Sequence, residues 1–127
     1  MDKILAEISA GELIDKITIL EIKKEKINNK EKLLEVNKEL VSLNETLKKS
    51  INDESKILSF KIDLKNINLK LWNIEDGKRL AEKNSQFDEK FIELARSVYK
   101  FNDERAKIKL AINNALGSNI KEVKSYE

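Results

Sequence analysis

The stretch Ile57-Leu58-Ser59-Phe60-Lys61-Ile62-Asp63-Leu64-Lys65-Asn66-Ile67-Asn68-Leu69-Lys70-Leu71-Trp72-Asn73-Ile74-Glu75-Asp76-Gly77-Lys78-Arg79-Leu80-Ala81 decides the fold. Ile57, Phe60, Leu64, Ile67, Leu71, Ile74, Lys78 and Ala81 alternate three and four positions apart. That spacing keeps one face of an α-helix turned toward a partner helix. A helix over 53–83 is predicted; about 30 residues at 1.5 Å each would run roughly 45 Å.

Downstream, Asn84-Ser85 ends this helix, and Ser85-Gln86-Phe87-Asp88 offers a cap for a fourth over 86–116. Its stripe is Phe91, Leu94, Val98, Phe101, Arg105, Ile108, Ile112 and Ala115, and Gly117 stands where a left-handed C-terminal cap belongs. Upstream, Ser50-Ile51-Asn52-Asp53 breaks the pattern. A second helix over 31–49 carries Leu33, Val36, Leu40, Leu43 and Leu47, and Leu34 and Val41 widen that stripe toward the core. Asn28-Asn29 is a turn, and the first helix fills 10–27. Its start, Ser9-Ala10-Gly11-Glu12, reads as a capping box in which Glu12 reaches back to Ser9. Its stripe is Leu13, Ile17, Leu20, Lys24 and Ile27. Short turns between long helices make neighbours antiparallel. The fold class expected over residues 1–127 is therefore all-α: one antiparallel bundle of about four helices, two of them long and coiled-coil-like. Residues 4–8 and 120–126 alternate enough to pair as a short β-ribbon linking the two ends.

Composition narrows function chiefly by exclusion. The 127 residues contain no Cys, no His and no Pro. No thiolate nucleophile, zinc–thiolate site or imidazole base can therefore be built. Charge is balanced: 12 Lys face 13 acids in residues 1–64, and 13 Lys and Arg face 10 acids in residues 65–127. Without a basic block, nucleic-acid binding is not expected. No apolar run is long enough for a bilayer, and Met1-Asp2-Lys3-Ile4-Leu5-Ala6-Glu7 has no apolar leader core, so a cytoplasmic location without membrane contact is expected. Gly11, Gly77 and Gly117 are isolated and form no phosphate loop. Acid pairs such as Glu21/Glu25 and Glu35/Glu39 occur on any charged helix, so no metal or cofactor is called for.

The two long helices carry more apolar surface than one seam needs. Leu58, Ile62, Leu69 and Trp72 fall about 150° from the first stripe at 100° per residue. The fourth helix repeats this with Ile92, Ala95, Tyr99, Ala106 and Leu110. Burying Leu58, Ile62, Leu69 and Trp72 could contribute about 6–10 kcal/mol before entropy. Three covers are open: another helix of the chain, a second copy forming a homo-oligomer (a dimer first), or a different protein partner.

Cations interrupt the stripes at Lys24, Lys78 and Arg105, with acids close in sequence. Glu75 and Asp76 flank Lys78, and Asn102 and Asp103 precede Arg105. Glu12, Asp15 and Lys16 crowd the first turn of the first helix, where acids suit the positive helix end. Together these make either a buried ion network that fixes register or a pocket for a charged small molecule.

The same residues carry a family resemblance. Gly11-Glu12-Leu13-Ile14-Asp15-Lys16-Ile17-Thr18-Ile19-Leu20-Glu21-Ile22-Lys23, Leu71-Trp72-Asn73-Ile74-Glu75-Asp76, Phe91-Ile92-Glu93-Leu94-Ala95-Arg96-Ser97-Val98-Tyr99, Asn102-Asp103-Glu104-Arg105-Ala106 and Glu122-Val123-Lys124-Ser125-Tyr126 resemble a bacterial family of helical proteins without an assigned activity. Ala10 stands where such sequences often carry Pro, a natural first helical residue. The resemblance implies an association with cell-surface polysaccharide genes and glycosyltransferase domains, and it points at Glu12, Asp15, Lys16, Glu21, Glu75, Asp76, Asn102, Asp103 and Arg105. Two functions follow from the sequence: a non-enzymatic interaction or scaffolding module that self-associates, or a small-molecule-binding domain or enzyme accessory built on that polar set.

Overall fold

The computed structural model describes residues 1–125. Among them are four α-helices: α1 (Ala10–Lys26), α2 (Lys30–Ser50), α3 (Leu58–Lys83) and α4 (Glu89–Leu116), with a single 3-10 turn at Glu54–Lys56. Local chemistry sets four of the boundaries. Ser9 Oγ accepts from the Glu12 amide at 3.1 Å, Asn29 Oδ1 from Lys32 at 3.0 Å and Asp88 Oδ1 from Phe91 at 3.2 Å. Gly117 closes α4 in the left-handed region at φ 63°.

Several expectations are corrected. Asp53 caps the 3-10 turn through the Ser55 amide, so α3 starts a turn later than 53. α4 starts at Glu89 rather than 86: within the expected capping stretch Asp88 supplies the cap, while Ser85 sits in the turn at φ 52°. Glu12 does not close the capping box, because its carboxylate accepts from Lys109 instead. Leu34 and Val41 face water, leaving Val36, Leu40 and Leu47 to pack α2 on the core. Lys24 is exposed and interrupts no seam.

No strand occurs among the described residues, so the ribbon is absent there; Tyr126 lies outside them. The two ends do meet, but through side chains. Ser118 Oγ accepts from the Ala10 amide at 3.1 Å, and Asn119 Nδ2 donates to Glu7 at 2.7 Å. Ile4, Leu5 and Val123 stay exposed, so a ladder would have had no core face to bury.

The central helix is α1. It packs against α2, α3 and α4, while α3 and α4 also pack on each other. Ile14 and Ile17 are fully buried in a core completed by Leu13, Leu20, Leu40, Leu64 and Ile112. This explains why α1 is apolar on most of its circumference: it has neighbours on several sides. Between α3 and α4, Gly77 lies against Leu94, and the Lys70 ammonium sits 5.2 Å from the centre of the Phe101 ring. Phe87 and Phe91 stack edge to face at 5.3 Å beside the α3–α4 turn.

Candidate functional site

Every fourth residue of one α4 face is polar: Arg105, Lys109 and Asn113. This face meets the first turns of α1. Gly11 donates its amide to Asn113 Oδ1 at 2.6 Å, and a Cβ at Gly11 would collide with the Lys109 carbonyl oxygen. The missing side chain lets the two backbones approach closely enough for Glu12 and Asp15 to face Lys109 and Arg105.

Asp15 is fully buried and its carboxylate accepts three hydrogen bonds. Its Oδ1 accepts from Asn68 Nδ2 at 2.8 Å and Arg105 Nε at 2.9 Å. Its Oδ2 accepts from Arg105 Nη2, with Lys109 Nζ at 3.8 Å. Asn68 also donates to Thr18 Oγ1 at 2.9 Å, and Thr18 in turn donates to the Asp15 carbonyl at 2.8 Å. Lys109 Nζ donates to Glu12 at 2.6 Å and to Glu122 at 2.9 Å. The hydrogen bond from Arg105 to Asp15 raises the guanidinium pKa further above its ordinary range. Burial alone would pull Lys109 down, but hydrogen bonds to Glu12 and Glu122 outweigh it and the net shift is upward. Both cations therefore stay charged at any physiological pH.

Lys124 and Lys109 hold Glu122 down to about 2, below the ordinary 4.5. A carboxyl depressed in the folded state stabilises it fully above the unfolded value and loses that effect as pH falls toward the folded one. The contact tying residues 118–125 to α4 is therefore expected to weaken from about pH 4.5 downward. Glu122 is partly exposed, so solvent screening keeps the effect to about 1 kcal/mol or less. Amide exchange at Ser118, followed by NMR from neutral to acid pH, reads it. Protection unchanged through that range would disprove the contact's role.

Beside this lattice a cavity of about 480 Å³ opens between α1, α3 and α4. Its apolar walls are Ile19, Ile22, Leu71, Trp72 and Val98; Asn68, Glu75, Asp76, Arg79, Asn102 and Arg105 are its polar lining. Arg105 belongs to both the lattice and the cleft. It spends Nε and Nη2 on Asp15, while Nη1 reaches Asn102 Oδ1 at 3.4 Å.

The polar residues singled out in the sequence thus divide. Glu12, Asp15 and Arg105 join the buried lattice. Glu75, Asp76, Asn102 and Arg105 converge on the cleft, together with Trp72. Lys16 makes a surface pair with Glu12 at 3.7 Å, and Glu21 pairs with Lys61 at 3.8 Å. Asp103 lines a different cavity, of about 560 Å³, with Lys107, Leu110 and Val123. Lys78 pairs with Glu75 at 3.3 Å. Among the apolar candidates, Leu69 and Trp72 are half-buried, while Leu58, Ile62 and Tyr99 are 59%, 53% and 58% exposed.

Sequence reasoning missed Asn68, Lys109, Asn113 and Glu122. The four-residue spacing of Arg105, Lys109 and Asn113 was a usable signal. So was Asn68, next to Ile67 in a helix whose other inward positions are apolar. Among the described residues no group of acids is placed to hold a metal ion, and no helix is long and apolar enough to cross a membrane.

A model of a family of unknown function (DUF6165) matches residues 4–127. No curated protein and no solved structure matches the chain.

Proposed function

We propose that this chain, which belongs to that family of unknown function, is a non-enzymatic helical interaction module that pairs with a second copy of itself. The carrying observation is the open end of the second apolar face. Packing of α1 leaves Leu58 and Ile62, one turn apart on α3, more than half exposed. Leu80 on α3 and Ile92 and Tyr99 on α4 are also more than half exposed. Covering several such side chains at about 1.5–3 kcal/mol each is enough to drive association. A symmetric dimer would supply the same patch twice.

The non-enzymatic reading rests on the lattice. Asp15 accepts twice from Arg105 and once from Asn68, with the Lys109 ammonium at 3.8 Å, and Lys109 is held by Glu12 and Glu122. A carboxylate sealed from solvent and tied to Arg105 and Asn68 is not free to turn toward a substrate. The antiparallel arrangement belongs to the same proposal. Supporting it, Gly11 meets Asn113, Glu12 meets Lys109 and Asp15 meets Arg105, so position rises on α1 as it falls on α4. Lys70 with Phe101 and Gly77 with Leu94 give α3 and α4 the same sense, and their three-four stripes fit a coiled-coil seam.

Sedimentation equilibrium tests the proposal. The wild type is expected at twice the chain mass at micromolar concentration, and Ile62→Glu at the chain mass with an unchanged helical spectrum. A wild type that stays monomeric at high micromolar concentration would refute it.

A further inference from the structure

The cleft between α1, α3 and α4 is the right size for a small ligand, and its chemistry is ordered along its length. Asn68 and the Glu75-Asp76 pair are seven and eight positions apart on α3, about 10–12 Å at 1.5 Å per residue. At the Asn68 end, Arg105 turns Nη1 toward Asn102, away from the bonds Nε and Nη2 make to Asp15. Because Asn102 Oδ1 accepts from Arg105, its amide nitrogen is left as a donor beside the guanidinium. That end offers N–H groups to an anion. At the other end stand two carboxylates, Glu75 and Asp76, with Arg79 one turn beyond. Lys78 pairs with Glu75 at 3.3 Å, so Asp76 is the carboxylate at that end outside any ion pair among the described residues. Between the ends the walls are Ile19, Ile22, Leu71, Trp72 and Val98.

We propose that this cleft binds a small zwitterion with an apolar body, its carboxylate on Arg105 and Asn102 and its ammonium against Glu75 and Asp76. An extended peptide covers about 3.3–3.6 Å per residue, so a free tripeptide of apolar residues spans the two ends. Trp72 carries part of the apolar contact. The assignment is independent of self-association, since Leu58 and Ile62 are not among the lining residues.

The one tryptophan of the chain makes the test direct. Trp72 emission is titrated with tri-leucine, N-acetyl-tri-leucine and tri-leucine amide, at a protein concentration where the sedimenting mass is constant. Calorimetric titration alongside catches binding that leaves the emission unchanged. The expected result is saturable binding of tri-leucine, about tenfold weaker for either blocked peptide. The double variant Glu75→Gln, Asp76→Asn is expected to bind tri-leucine and its N-acetyl form equally, while still discriminating against the amide. No saturable signal by either method at millimolar peptide overturns the proposal. Equal affinity for all three peptides overturns it too, because adsorption to an apolar wall would need neither charged end.

Discussion

Replacing Asp15 by Ala is expected to lower the free energy of unfolding by about 3 kcal/mol. Removing one partner of a buried pair is costly because it strands the other charge. Here two cations are stranded at once. Arg105 loses both of its bonds to Asp15, and Lys109 keeps Glu12 and Glu122 but loses a neighbouring negative charge. Asn68 loses an acceptor as well. The estimate sits at the low end of the range for buried pairs because the Arg105 side chain retains a path to water through the cleft. Asp15→Asn is expected to cost about as much. It preserves the volume but turns an NH2 group toward donors, exchanging an acceptor for a clash of hydrogens. The double variant Asp15→Leu, Arg105→Met should recover most of the loss, since an apolar pair of similar size carries no desolvation penalty. Urea midpoints, at constant slope, read all three. A shift below about 1 kcal/mol for Asp15→Ala would show that the lattice does not hold α1 on α4.

The parts of this arrangement legible in the sequence are those that local periodicity encodes. The stripe from Ile57 to Ala81 anticipated α3 because each step reports on the same helix face, and Gly117 marked the end of α4 because few other residues adopt its backbone conformation. Apolar residues around most of α1 were visible too, although not that α1 would be the helix the others share. Errors arose where one pattern served two structures. Leu34 and Val41 extend the α2 stripe on a helical wheel, but α2 packs mainly on α1, so the widened edge reaches water. Ser85 and Asp88 are both good caps, and only the path of the turn chose between them.

The site was half legible for a related reason. Arg105 stood out because it interrupts an apolar stripe, and Asp15 because it crowds the first turn of α1 with Glu12 and Lys16. The 2.9 Å contact between Asp15 and Arg105 is set by a close helix approach ninety positions apart in sequence, which no local signal reports. Lys109 looked like one surface lysine among many, since a helical wheel cannot distinguish a solvated lysine from one answered by two carboxylates. Glu75, Asp76 and Asn102 were found as polar residues flanking a seam, but the cleft that unites them exists only because α1 lies across α3 and α4.

The smallest side chain in that crossing sets the second large effect. Gly11→Ala is expected to destabilise the protein by about 2–4 kcal/mol, although alanine is ordinarily the better helix former. The added Cβ would lie inside contact distance of the Lys109 carbonyl oxygen and 3.0 Å from Asn113 Oδ1. The first obstacle is backbone, deep in a packed helix, and cannot swing aside. Relief must come from moving the start of α1 off α4. That motion stretches the Gly11–Asn113 bond, leaving a buried amide side chain short of a partner at about 1–3 kcal/mol. It also draws Glu12 away from Lys109. Gly77→Ala is the internal control. There the nearest atom is Leu94 Cδ1 at 3.2 Å, the end of a half-buried side chain that can rotate. With that contact relieved, the helix-interior gain of up to about 1 kcal/mol should remain. The two substitutions add the same methyl group to the same kind of residue, so opposite shifts in the urea midpoint would isolate backbone approach as the cause. Equal shifts of either sign would show that Gly11 is not what lets α1 and α4 close on each other.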